Sequence, residues 1–249
     1  MANFPASILQ VFQEKLNENI IFNIVKVEGG TFQMGGNEYS WEKPIHEVKL
    51  DTFYIGQFPV TQEIWEAIMG ENPSYFKGPK RPVENVSWED AQVFLEKLNQ
   101  KLDLKGARAY RLPTEAEWEF AARGGIYSQG FSYAGSENLE QVGWYGENSE
   151  VQTQPVGILQ PNELGIYDMS GNVWEWCQDW WDRDNEYYEQ CHKIGIVANP
   201  QGPEKGQYRV VRGGGWGYGA SSCRVADRGH DTPAVRYGGF GLRLSRTAL

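Results

Sequence analysis

The chain has 249 residues, of which 40% are hydrophobic and 22% charged, ordinary values for a globular protein that one domain accommodates. A formal net charge of −10 disfavours non-specific binding to nucleic acid or to an anionic membrane, whose phosphates would repel it. The load of 10 Trp, 13 Tyr, 11 Phe and 29 Gly suits a loop-rich fold packed round large rings, with a small-molecule, sugar or protein partner.

Ala6 to Asn17 sets Ile8, Leu9, Phe12 and Leu16 at helical spacing, which predicts a short amphipathic helix in an N-terminal extension, residues 1–19, ahead of a domain over 20–249. The chain opens with no basic stretch and apolar run, and no segment is long enough to span a bilayer, so direct membrane insertion is not expected. A leader removed beforehand would imply a secreted or cell-surface protein; otherwise the expectation is cytoplasmic. From Ile20 to Thr61 the pattern predicts strands: Ile21 to Val27, Thr31 to Met34, then Val48 to Val60 broken at Gly56. Thr61 caps a first helix through Met69, which Gly70 and Pro73 end. Ser87-Trp88-Glu89-Asp90 resembles a capping box and opens a second helix with Ala91, Phe94, Leu95, Leu98 and Leu102 on one stripe. Thr114-Glu115-Ala116-Glu117 opens a third, through Ala122, stopped by Gly124 and Gly125. Two or three helices, all in the first half, are therefore expected. Beyond Gly125 short segments alternate with Gly, Asn, Pro and Ser, the text of long structured loops. Cys177, Cys191 and Cys223 are an odd, sparse set that allows one disulfide at most.

Several stretches carry a family resemblance: Arg111 to Glu119 (RLPTEAEWE), Gly165 to Trp176 (GIYDMSGNVWEW), Arg209 to Trp216 (RVVRGGGW), and Gly241-Leu242-Arg243. With Phe32-Gln33-Met34-Gly35 and the Glu42-x-Pro44-x-His46 step before Phe58 to Thr61, they resemble the formylglycine-generating-enzyme, or sulfatase-modifying-factor, domain from about residue 20 to the end. The resemblance implies an α+β, C-type-lectin-like fold of the formylglycine-generating-enzyme type, loop-rich with small antiparallel sheets and two or three helices. Trp118, Trp174 and Trp176 are then expected as core rings, and Arg111, Arg212 and Arg243 as paired buried guanidiniums. Enzymes of that family hold copper between two nearby cysteines just after the Gly-Gly-Ser-Tyr/Trp step. Here the step reads Gly213 to Tyr218, with Tyr218 at the first cysteine position and only Cys223 near the second, so no copper and no oxidase activity are expected. The related sulfoxide synthases need clustered histidines, whereas His46, His192 and His230 are scattered, His46 as a structural residue and His192 in a loop.

The segment from Gly213 to Leu249 contains no Lys, Glu, Gln, Met, Asn or Ile, although the preceding chain uses all six. Its framework, Arg212-Gly213-Gly214, Trp216, Cys223 to Ala226, Arg228, Pro233, Arg236 and Gly241-x-Arg243, resembles that of variable proteins of diversity-generating retroelements, in the formylglycine-type branch. There, substitution of template adenines in AAC-type codons reaches most amino acids but never Lys, Glu, Gln, Met or Trp. The resemblance implies a variable region over 213–243. Its ligand-binding positions would be Gly217, Tyr218, Gly219, Ser221, Ser222, Asp227, Gly229, His230, Asp231, Thr232, Ala234, Val235, Tyr237, Gly238, Gly239 and Phe240, with Trp216 as a floor residue or a core one. Chance composition of a glycine-rich loop is the bland alternative. Tyr, His and Asp set among Gly and Ser form the mixture that paratopes use. The expected partner is a variable ligand, a protein or a glycan. The competing expectations are an active oxidase on the same scaffold and a purely structural accessory domain.

One metal expectation also comes from the resemblance. Asp168 and Glu175, with the carbonyls of Gly171 and Val173, would hold a structural calcium ion, a set of hard oxygens that suits it. The alternative is that both acids pair with framework arginines such as Arg212 or Arg224.

Overall fold

Ile24, Val25 and Val27 leave water together when Ile21–Val27 becomes a strand, and that strand anchors one of four sheets in the computed structural model, which describes residues 10–248. The sheet runs β1 (Val11–Lys15), β2 (Ile21–Val27), β5 (Phe53–Gly56) and β13 (Ser245–Thr247), so the first and last strands of the described residues belong to it. A three-stranded sheet joins β3 (Gly30–Met34), β4 (His46–Leu50) and β9 (Val197–Ala198), and a short pair joins β6 (Gly143–Trp144) to β7 (Ser170–Gly171). The fourth has the order β11 (Arg228–Asp231), β10 (Arg209–Arg212), β8 (Trp174–Trp180) and β12 (Phe240–Leu242). Most pairings are antiparallel; β8–β12, β4–β9 and β6–β7 are parallel.

The N-terminal helix is corrected where it can be seen. Residues 6–9 lie outside the described residues, and Val11–Lys15 is a strand, with Val11 opposite Val25 and Lys15 opposite Ile21. Asn17 forces the reversal: its side-chain oxygen accepts from the backbone amides of Asn19 and Ile20, which turns the chain back along the open edge of β2. Pairing with that edge then outweighs a helical spacing that rested on a few residues.

The three helices expected in the first half form as α1 (Gln62–Met69), α2 (Trp88–Lys101) and α3 (Glu115–Ala122). Gly70 ends α1 at φ 83°, and both capping boxes, Ser87 with Asp90 and Thr114 with Glu117, are closed reciprocally. A fourth helix, α4 (Glu186–Ile194), corrects the expectation that all lie in the first half, and it carries His192, which is therefore not in a loop. Its cap is displaced: Asn185 makes no side-chain cap, and the Asp182 carboxylate accepts from the Tyr187 amide at 2.8 Å instead.

Every residue of α3 is buried, including three glutamates, because arginines meet them both from either end of the helix (Arg111, Arg123) and from distant strands (Arg212, Arg228). Glu115 receives Arg228 at 2.6 Å and Arg212 at 3.4 Å; Glu119 receives Arg212 and, at 2.7 Å, Arg123; Glu117 receives Arg111 at 2.6 Å. Beside α3, Arg243 grips both oxygens of Glu175, and the Trp118 indole donates to the same carboxylate at 2.7 Å. The expected core rings Trp118, Trp174 and Trp176 are buried, as are Arg212 and Arg243; Arg111 keeps part of its side chain in water.

Beneath α3 the Asp179 carboxylate accepts from the Glu115 amide at 2.8 Å. Burial, with the negative charge of Glu115 next to it, pushes its pKa up to about 8. The folded state therefore binds this proton more tightly than the unfolded chain does. The resulting stability is complete below the usual carboxylate range and is lost as pH rises through about 8. Asp179 should accordingly make the melting temperature fall as pH rises from about 5 to about 8 and add no further fall above that, and Asp179→Asn should flatten the fall; an Asp179→Asn protein with the wild-type slope would count against this assignment.

Candidate ligand-binding site

Strand β10 ends at Arg212 and the chain must reverse immediately. Gly213 and Gly214 do this at φ 98° and 73°, and at Gly214 a Cβ would lie 2.7 Å from the Cys223 sulfur. A 3₁₀ turn at Ala220–Cys223 leads to β11, an edge strand, and the loop from Thr232 to Gly239 then leans on the start of α2. There Glu89 N donates to Pro233 O, Asn85 N donates to Tyr237 O, and Arg236 pairs with Asp90 at 2.6 Å. The segment is thus a set of loops pinned at intervals by framework residues.

The pinned loops border a cleft walled by aromatic rings. Its middle is a cavity of about 380 Å³ between Trp41, Trp174 and Trp181, into which Tyr218, Gly229, His230, Asp231 and Phe240 face. Two adjoining hollows share Trp41: one of about 370 Å³ with Tyr208 and Arg183, the other of about 360 Å³ with Tyr39, Ser221, Ser222 and Asp227. His230 stacks on Trp181 at 4.3 Å, and Tyr218 stands edge-on to Trp174 at 5.5 Å. The guanidinium of Arg228, bound to Glu115, lies 4.4 Å over Trp181 and closes the inner wall. Burial lowers the His230 pKa, favouring the neutral ring, and burial with the neighbouring Tyr237 pushes the Tyr218 phenol up to about 12. Another cavity of about 380 Å³, near Phe22, Phe58 and Ile64, holds none of the expected site residues.

Among the sequence-expected positions outside the hollows, Gly217, Gly219, Thr232, Ala234 and Tyr237 are exposed, with Val235 and Gly238 half-buried. Trp216 is neither floor nor core: its indole donates to Gly238 O at 2.8 Å, which braces one loop against the other. Asp227, Gly239 and Phe240 are corrections to the expected exposed set, since all three are buried. Asp227 accepts from the Trp41 indole, Gly239 O accepts from Trp174 N, and Phe240 lies edge-on to Trp176 at 5.0 Å, under the cavity. Trp41, Tyr208 and Trp181 were missed because they lie outside the C-terminal segment and no local pattern marks them.

The calcium expectation fails a test of its donors. Both Glu175 oxygens face Arg243 within 3.1 Å and one also takes the Trp118 indole, so a cation there would meet a guanidinium. The oxygens of Asp168 accept from Gly157 N and Asn172 Nδ2, and burial pushes its pKa up to about 6. As arranged, Asp168, Gly171, Val173 and Glu175 do not fit calcium, and the arginine alternative holds for Glu175 through Arg243 rather than Arg212 or Arg224. The thiols of Cys177, Cys191 and Cys223 are free and buried, and burial raises the pKa of Cys223 to about 12. A thiol so disposed stays protonated and makes a poor ligand or nucleophile.

A sulfatase-modifying factor enzyme 1-like domain matches residues 12–248. "Chaperone protein LppX" of Paenibacillus barcinonensis is 38% identical, over 85% of this chain and 83% of its own length. The formylglycine-generating enzyme of Thermomonospora curvata is 29% identical, over 93% of this chain and 96% of its own. Among solved structures, Treponema denticola variable protein 1 superposes with a TM-score of 0.86 at 33% identity, covering 96% of this chain and 99% of that one.

Two measurements check these placements. Phe240→Ala should lower stability by about 3–5 kcal/mol in urea unfolding, as for a buried ring, whereas Tyr237→Ala should stay within about 0.5 kcal/mol. EDTA should leave the melting temperature unchanged; stabilisation by added calcium would restore the metal expectation.

Proposed function

This chain belongs to the family of sulfatase-modifying factor enzyme 1-like domains, and from that footing we propose that it is a non-enzymatic ligand-binding protein. Its segment 213–243 is the diversified binding surface of a diversity-generating retroelement. One observation carries the reading. Eight of the sixteen positions reachable by adenine substitution, Tyr218, Ser221, Ser222, Asp227, Gly229, His230, Asp231 and Phe240, line one aromatic cleft and its adjoining hollow, while the framework residues Cys223, Val225, Ala226 and Arg243 are buried away from it. The likeness to Treponema denticola variable protein 1 over nearly the whole of both chains supports it.

The formylglycine-generating relative favours a second reading, an oxidase on the same scaffold. Copper-based oxidation in that family requires two thiolates. Here Tyr218 stands where the first cysteine is expected, Cys223 is packed with Leu139 and Tyr145, Cys177 sits in the main core, and Cys191 lies on α4. The binding reading therefore needs no copper, and its ligand is a protein or a glycan that can lay rings or ring-like faces on the cleft's indoles.

The genomic neighbourhood tests the proposal. We expect an adjacent reverse-transcriptase gene and a near-copy of the 3′ segment carrying adenines at the codons of Tyr218, Ser221, Asp227, His230 and Tyr237. Copper-dependent oxygen consumption with a cysteine-containing sulfatase peptide would instead establish the oxidase.

A further inference from the structure

Trp41 lies far from the C-terminal segment in sequence, yet it is common to all three hollows of the cleft. At 38% exposure it offers an open indole face, and the Tyr39 ring backs it in parallel at 4.6 Å. The short loop that carries it is clamped by framework arginines of the diversified segment. Arg224 binds Glu38 at 2.7 Å and Glu42 at 2.5 Å and lies over the Tyr39 ring, while Arg228 donates to Trp41 O at 2.7 Å. Asn185 adds a bond to Ser40 O at 2.8 Å. The backbone under Trp41 is thus fixed by residues that the adenine logic leaves unchanged.

The indole itself is held differently. Its N–H donates to the Asp227 carboxylate at 3.1 Å, and position 227 is one that diversification reaches. Asp227 is 6% exposed at the back of the outer hollow, its carbonyl is held by Arg212, and its carboxylate is engaged by the Trp41 indole and lies 3.8 Å from Arg224, so it offers a ligand little surface of its own. Resting on the binding function proposed above, we infer that Trp41 is a constant contact residue of the cleft, and that residue 227 is a positioning residue that acts on the ligand through the Trp41 indole. Asp, Asn, Ser or Thr at 227 supplies an acceptor that locks the ring; Gly, Ala or Val removes it and frees the ring to turn. Variation at 227 would then reshape, through Trp41, all three hollows, including the two that residue 227 does not line.

The ligand class follows from the fixed parts. A flat indole backed by a tyrosine, facing Trp174 and Trp181 across a cavity of about 380 Å³, takes a planar or aliphatic side chain presented by a protein. Trp side chains that a partner covers on binding are among the residues that dominate interface energetics.

The test uses the full chain. In ¹⁵N-labelled protein the Trp41 indole resonance is assigned with Trp41→Phe; it should hold its position in Asp227→Asn and, in Asp227→Ala, move and exchange faster with solvent. As binding probes, linear peptides are selected from a phage-displayed library on the wild-type protein and counter-selected on a protein carrying both Tyr218→Ala and Tyr237→Ala. Trp41→Ala should weaken such peptides by about tenfold or more, Asp227→Ala by about threefold or more, and Asp227→Asn by less than about twofold. An unmoved indole in Asp227→Ala, or wild-type affinity in Trp41→Ala, overturns the inference while leaving the surface reading intact. If the only peptides obtainable bind equally with and without Tyr218 and Tyr237, the surface reading fails, and the inference with it.

Discussion

The grip of Arg243 on Glu175 holds together parts of the chain that no sheet or helix would join. Besides both carboxylate oxygens, the guanidinium donates to Gly56 O at 2.9 Å and Tyr167 O at 2.8 Å, so it connects β8, the end of β5 and the loop before β7. An uncompensated buried charge at either partner would be costly, and here every polar atom of the pair that faces the interior has a counterpart. A loop-rich domain leaves many backbone carbonyls without a ladder, and a planar donor with several N–H groups can serve two or three of them at once.

The same solution recurs. Arg212 donates to Asp227 O and Val225 O while pairing with Glu119; Arg228 serves Trp41 O while pairing with Glu115; Arg123 serves Gly35 O while pairing with Glu119. Each arginine neutralises an acid of α3 and satisfies a loop. Because these bonds go to main-chain oxygens, the loops hold their course whatever side chains they carry. A surface whose residues are to be exchanged needs that independence of backbone from side chain, and interlocking side chains within the loops would forbid it.

What the sequence made legible follows the same division. Helices α2 and α3 announce themselves through Ser87 with Asp90 and Thr114 with Glu117, because capping is local chemistry written within four residues, whereas Thr61 sits at the N-cap of α1 without a side-chain cap and that helix is marked by its Gly70 end. Strand β1 was misread because Phe12 and Leu16 fit a helix until the Asn17 turn and the free edge of β2 are known, and the edge is a tertiary fact. Helix α4 escaped because its cap comes from Asp182, outside the usual position, and its buried face is little more than Tyr188 and Cys191. The cleft was half legible: adenine-compatible composition marks the C-terminal rim, but nothing near Trp41 or Trp181 in sequence says that they face it.

Asp227, Gly239 and Phe240 show where a compositional signature and a contact surface part company. Codon chemistry defines what mutagenesis can reach, whereas the fold decides what reaches solvent, and at these three positions the answers differ. Phe240 is paired in register with Trp174 and packs on Trp176, so a smaller residue there would deepen the cavity at the expense of core packing. Gly239 approaches the Tyr237 ring so closely that an added Cβ would lie 3.0 Å from it, which ties the rim to the floor. Exchange at such positions acts from below, by altering cavity depth or ring orientation, and the tolerance for it is set by the stability that the arginine network leaves in reserve. The exposed rim is free of that limit. A binding surface built this way therefore has two kinds of variable residue, one that meets the ligand and one that shapes what meets it, and only the first kind can vary without regard to the core.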